Sequence, residues 1–153
     1  MSEPQVIMAG AVFQLLMPPV EPAVRTGSGQ WSFPVPISVQ LRFDSADPFA
    51  VQLCFTTGPS RDVTWVFARS LLTDGLLYAV GEGDVRVRPC DDSARDVVVV
   101  ELSSPSGQAY FEASASTIAD FLDQSFALVA PGAESELVDH DAALAALLAT
   151  DDR

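Results

Sequence analysis

The alternation of apolar and polar residues between Ile37 and Phe67 constrains this chain more than any other feature. Ile37, Val39, Leu41 and Phe43 point one way, with Ser38, Gln40 and Arg42 opposite. A period of two over this length specifies a strand with one face buried. Ser45-Ala46-Asp47-Pro48 then forms a turn, because proline presets its own φ and restricts the residue before it. Val51, Leu53 and Phe55 restart the pattern, Gly58-Pro59-Ser60 interrupts it, and Val63, Trp65 and Phe67 resume it. Two such runs around a short polar Gly/Pro segment predict an antiparallel hairpin, with Trp65 and Phe67 packing into the core beside Val63.

The same pattern extends in both directions. Residues 5–17 read as a first strand, followed by a Pro-, Gly- and Ser-rich surface loop over 18–36. At Ala68 the period changes, and Arg69 to Asp74 can form a short helix closed by Gly75 as a C-cap. Leu76–Val80, Asp84–Arg88, Val97–Leu102 and Gln108–Ala113 are further strand candidates. The four valines at 97–100 are too β-branched for a helix, and both faces of that run read as buried. Strand faces apolar on both sides need cover from several directions, for which a subunit interface is one source.

Helices come late. Ser114 or Ser116 can cap the first, whose Ile118, Phe121, Leu122 and Phe126 share one face. Pro131-Gly132 ends it. A second begins near Asp139, with Asp139 and Asp141 at the positive end of the helix dipole and a stripe of Leu144, Leu147 and Leu148. The acidic tail at 150–153 frays. The fold class is α+β, mainly antiparallel strands with helices late in the chain. A length of 153 residues suits one domain over 1–153, large enough to bury roughly 70% of its unfolded surface without a disulfide or metal staple.

Charge narrows the function classes. The net charge is −13, and the eight basic side chains are all arginine. A non-specific nucleic-acid binder depends on neutralising phosphates, and long-range repulsion from an acidic surface opposes that encounter. Nucleic acid is therefore a disfavoured partner. No apolar run approaches the roughly 20 residues of a membrane span. The stretch Val6–Met17 has an acidic start where a secretory signal needs a basic one, so the expectation is a cytoplasmic protein without membrane insertion.

The chemistry-bearing residues do not assemble into a motif. His140, flanked by Asp139 and Asp141, reads as a solvated first-turn residue rather than a catalytic base. A P-loop is excluded because there is no lysine. Gly81-Glu82-Gly83-Asp84 lacks the third glycine and following helix of a dinucleotide fingerprint and reads as a turn. The pairs Asp44/Asp47 and Asp91/Asp92 lie at turns, where aspartate bonds locally, and neither has calcium-loop spacing. Cys54 within an apolar strand reads as a buried, unreactive thiol, and Cys90 in a polar turn has nothing to activate it. No catalytic, cofactor or metal residue is assigned, and an enzyme is not expected. Trp31, an aromatic in a Pro/Gly-rich loop, is the one candidate partner-binding residue; the alternative is that it folds back over a sheet edge.

Five segments, in order, are similar to a known family. Leu41-Arg42-Phe43-Asp44-Ser45-Ala46-Asp47-Pro48-Phe49-Ala50-Val51 resembles the LR[YF]D..DP[YF]AV signature of SsgA-like proteins, and Trp65-Val66-Phe67-Ala68-Arg69 with Leu71-Leu72 and Gly75-Leu76 resembles W.FAR.LL..GL. Gly83-Asp84-Val85-Arg86-Val87, Leu102–Ala109 (LSSPSGQA) and Pro131-Gly132-Ala133-Glu134 resemble the GDVRV, LSSP.G.A and PPGTE stretches. The resemblance implies a strongly curved antiparallel sheet of whirly-like fold, assembling as a homotrimer. It also implies a non-enzymatic adaptor controlling sporulation-specific cell division in actinobacteria, located at the septum, with FtsZ or other SsgA-like proteins as partners. Other branches of the family act in cell-wall remodelling or spore maturation. A single-stranded nucleic-acid-binding role follows only from fold analogy. The long 18–36 loop, Ser70 after Ala-Arg, and Ala130 in place of the first proline of PPGTE depart from the pattern.

Overall fold

A computed structural model of the chain describes residues 3–16, 34–59, 61–90 and 94–137. Seven strands form one antiparallel sheet: β1 (Val6–Leu16), β2 (Pro34–Asp44), β3 (Ala50–Gly58), β4 (Arg61–Ala68), β5 (Val85–Pro89), β6 (Val97–Ser104) and β7 (Gly107–Ser114). Their order across the sheet is β4-β3-β2-β1-β7-β6-β5. Helix α1 (Arg69–Gly75) follows β4, α2 (Ala115–Leu128) follows β7, and a single turn, α3 (Glu134–Leu137), comes last among the described residues. β2 takes in Pro34–Pro36, the end of the segment read as loop. The helix expected near Asp139, His140, the acidic tail, Trp31 and the Asp91/Asp92 pair lie outside the described residues.

Register shows how the alternation is used. Odd residues of β1 to β4 share one face: Ile7 lies opposite Phe43, Leu41 opposite Leu53, and Leu53 opposite Trp65. Phe111 of β7 joins that face through Leu15, and Val100 of β6 lies opposite Phe111. These side chains form the core, with Phe43, Leu53, Val100 and Phe13 excluded from solvent. The sheet curls strongly around them. β3 and β7 are three strand steps apart, ~14 Å in a flat sheet, yet the Phe55 and Phe111 rings stand 4.7 Å apart between centroids. Phe13 from the intervening β1 completes the cluster, 6.0 Å from Phe55 and 6.5 Å from Phe111.

Helix α2 packs against β1, β6 and β7 with Ile118, Phe121 and Leu122 buried. Ser114 is the residue that caps it, accepting from the Thr117 amide at 3.4 Å. Gly132, at φ +87°, turns the chain after Pro131, a conformation that glycine adopts without strain.

Four local expectations are corrected. Leu76–Val80 is not a strand: the Leu77 and Tyr78 amides both donate back to Asp74 O, closing α1, and only Val80 pairs with β5, through Val87. Gly75 lies inside α1 rather than capping it. It is required there because a Cβ would stand 2.3 Å from Val87 Cγ1 and 2.6 Å from Val87 Cβ. Cys54 is half-buried, since its even position in β3 turns it to the outer face beside Gln40 and Thr64. Val63 keeps 45% of its surface exposed because it sits near the open end of the inner face.

The valine run is buried on both faces, as its composition demands, but one chain suffices to do it. Val98 and Val100 enter the core, while Val99 is 4% exposed on the outer face, between Arg88 of β5 and Glu112 of β7. Arg95 clamps Glu112 through two hydrogen bonds of 2.6 and 2.9 Å. This run therefore does not demand a subunit interface. The exposed apolar residues of the outer face lie elsewhere, at Val6, Met8 and Val12 on β1 and Val66 on β4.

Candidate functional site

The curled sheet has a closed end and an open end, and β4 connects them. At the closed end the chain leaves β4 at Arg69, whose side chain is only 2% exposed. Its guanidinium donates to Ser125 Oγ at 3.2 Å, Val129 O at 2.8 Å and Glu134 Oε1 at 2.8 Å. Phe43 and Phe126 place ring faces 4.9 and 4.8 Å from its central carbon. A buried cation is tolerated only when its donors are satisfied and an anion is near, and here one arginine joins β4 to the end of α2 and to α3. The hydrogen bond from Arg69 holds the Glu134 carboxyl below its ordinary range, with the backbone amide of Glu134 adding to the effect against opposition from burial. Ser125 also donates to Leu122 O at 2.7 Å, which fixes its hydroxyl as an acceptor for Arg69.

At the open end no helix among the described residues covers the inner face. A cavity of about 280 Å³ lies there, bounded by Phe55, Val63 and Trp65 on one wall and Leu102, Ala109 and Phe111 on the other. Its rim is uncharged, formed by Thr57, Ser104, Ser106 and Gln108. The volume lies at or below the lower limit of small-ligand pockets, roughly 300–1,000 Å³, and suits one or two side chains. Among the described residues that line it, none is an acid or base that titrates near neutral pH. A second hollow, at β5, is lined by Glu82, Glu101, Arg86 and Arg88 with Ala79–Gly81. There Arg86 stands opposite Glu101 in register.

Among the described residues, those weighed for chemistry do not converge on one site. Asp44 organises its own turn, Oδ1 accepting from the Ala46 amide at 2.9 Å and Oδ2 facing Arg42 at 3.5 Å. Gly81, at φ +104°, packs against the Val85 carbonyl in a bend before β5. Among the described residues no group of three or more His, Cys, Asp or Glu side chains is placed to hold a metal ion. No helix among them is long and apolar enough to cross a membrane. Sequence reasoning missed the buried arginine. Its signal was an Ala-Arg pair at the point where the hydrophobic period changes from two to that of a helix.

Comparison with known proteins matches residues 37–134 to the family described as Streptomyces sporulation and cell division protein, SsgA. The chain belongs to the SsgA family. A sporulation-specific cell division protein SsgB of Saccharopolyspora erythraea is 50% identical over 141 residues, covering 92% of this chain and 91% of its own. The SsgB of Streptomyces coelicolor is 46% identical over 122 residues, covering 80% and 88% respectively. The SsgA-like sporulation-specific cell division protein of Thermobifida fusca, a crystal structure, superposes with a TM-score of 0.75 at 35% identity, over 95% of this chain and 97% of that one. The arginine node and the GDVRV strand both fall inside the matched span, and the curved sheet inferred from the resemblance is the architecture seen. The relatives' shared role supports participation of this SsgA-family chain in sporulation septation.

Proposed function

We propose that this protein is a non-enzymatic adaptor that acts at the septum during sporulation, recruiting or positioning division machinery such as FtsZ. The observation that carries the reading is 50% identity to a sporulation-specific cell division protein over nearly the whole length of both chains. The site agrees with it: the open cavity is apolar and side-chain-sized, a geometry for contact rather than bond-making. Nucleic acid is a poor fit, because Arg42, Arg69 and Arg95 are each paired with a carboxylate in a chain of net charge −13. The action is cytoplasmic, on the inner side of the division site.

A homotrimer belongs to the same proposal. The apolar outer-face residues Val6, Met8 and Val12 on β1 give copies of the chain a surface to bury, and three linked copies convert weak contacts with a polymer into avidity. A fluorescent fusion followed through sporulation tests the role: septal rings coinciding with FtsZ are expected. A diffuse or spore-wall signal, together with failure to co-sediment with FtsZ polymers, would overturn it. Light scattering that gives a stable monomer at micromolar concentration would remove the trimer.

A further inference from the structure

The two edges of the sheet are finished differently. At β5, hydrogen-bond phase follows from the Ser103 amide donating to Asp84 O. Even residues of β5 therefore bond β6, and the groups of Val85, Val87 and Pro89 face the edge. That edge is blocked: Val87 exchanges both hydrogen bonds with Val80 at 2.9 and 3.0 Å, and Pro89 has no N–H. At β4 the Arg69 amide donates to Phe49 O at 2.7 Å, which puts odd residues of β4 in hydrogen bonds with β3. The N–H and C=O groups of Asp62, Thr64 and Val66 then point away from the sheet. All three residues are exposed, no proline interrupts β4, and its only register shift lies at the hairpin end, between Thr56 and Gly58. Among the described residues no backbone group bonds to this edge.

The inner face beside that edge is where the cavity lies, since Val63 and Trp65 of β4 form part of its wall. A strand added along β4, ~4.8 Å away, would direct alternate side chains inward next to Val63 and Trp65. Among the described residues, open backbone groups and an unfilled apolar space are thus offered to the same ligand. We propose that the β4 edge and this cavity form one docking site for an extended segment of a partner protein, bound as an eighth strand. Its inward positions are apolar, one of them large enough to fill the cavity, and its outward positions are basic. Backbone pairing supplies affinity and the alternate pocket supplies selectivity. The basic preference follows from the net charge of −13, which attracts a cationic segment. The inference rests on the adaptor reading and gives it a contact surface.

The full-length protein is titrated with the capped peptide Lys-Val-Lys-Phe-Lys-Val-Lys while amide exchange is followed by NMR. Saturation is expected to slow exchange at Thr64 and Val66 at least tenfold. The same peptide with N-methyl groups at alternate residues, and the variant Thr64→Pro, are each expected to weaken binding at least tenfold. Thr64→Pro removes an edge donor that β3 does not use, and the methylated peptide provides the test should that variant misfold. No binding at millimolar peptide, equal binding of the methylated peptide, or unchanged exchange at 64 and 66 each overturns the proposal. So does protection of those amides that rises with protein concentration alone, which assigns the edge to a second copy. A Thr64→Pro fusion that folds and still forms normal septal rings sinks the β4 site and leaves the adaptor reading standing. A wild-type fusion absent from septa sinks the adaptor reading itself.

Discussion

Replacing Glu134 with glutamine isolates the charge in the arginine node with almost no change of shape. Arg69 is 2% exposed, and among the described residues Glu134 is the one anion of its three acceptors. Breaking a fully buried pair costs about 3–5 kcal/mol. The Glu134 side chain keeps 18% of its surface exposed, so water screens part of that loss. The bond itself changes from charge-assisted, worth about 1.5–3 kcal/mol, to neutral, worth about 0.5–1.5. The expected destabilisation at pH 7 is about 1–2 kcal/mol. For a chain of this size that lowers Tm by roughly 2–8 °C. The sign with pH is fixed, because the folded-state pKa of Glu134 lies below its ordinary value of 4.5. The stabilisation is complete above the unfolded pKa and is lost as pH falls through the folded one. Urea melts of wild type and Glu134→Gln across pH 3–7 should therefore show a gap that is full at pH 7 and closes in acid. A gap under about 0.5 kcal/mol at pH 7, or one independent of pH, refutes the assignment.

Gly75→Ala forces a methyl into Val87 on β5 and should cost about 1–3 kcal/mol by chemical denaturation, more than its helix-propensity gain returns. Ser114→Ala removes the cap of α2, whose hydrogen bond at 3.4 Å is long, so the loss should fall near the low end, about 0.5–1 kcal/mol by thermal melting. Leu53→Ala, at a position with no solvent exposure, should cost about 2–5 kcal/mol and leave the cooperativity of the urea transition intact.

Strands β2 and β3 were legible because each buries one face, and period two is the direct record of that geometry. Ile37–Phe43 and Val51–Phe55 needed nothing further. Elsewhere the local signal misled. Leu76–Val80 carries strand-forming residues, yet backbone bonds to Asp74 close a helix there and leave one bridge to β5. Gly75 looks like a cap in sequence, and only the approach of Val87, twelve residues on, shows that the space is what matters. The cavity was not legible at all. It depends on a curl that brings β3 and β7 together across two intervening strands, a property of the whole sheet.

The arginine node and the open edge share β4, and that connection has a consequence. Apolar residues could fill the closed end at similar stability, but they would not fix the end of β4 against α2 and α3 by directed hydrogen bonds. Arg69 holds the strand at the terminus opposite the cavity, so an incoming strand meets an edge whose far end is already fixed and in register with β3. Pre-ordering of this kind lowers the entropy lost on binding. Arg69→Met tests the link, because it touches neither the edge nor the cavity. The amides of Trp65 and Phe67, which bond to β3, should exchange faster in this variant than those of Leu41 and Phe43 in the central strand β2, after correction for the global loss of stability. Uniform acceleration across β2 and β4 would mean that the arginine only stabilises the fold and does not order the edge.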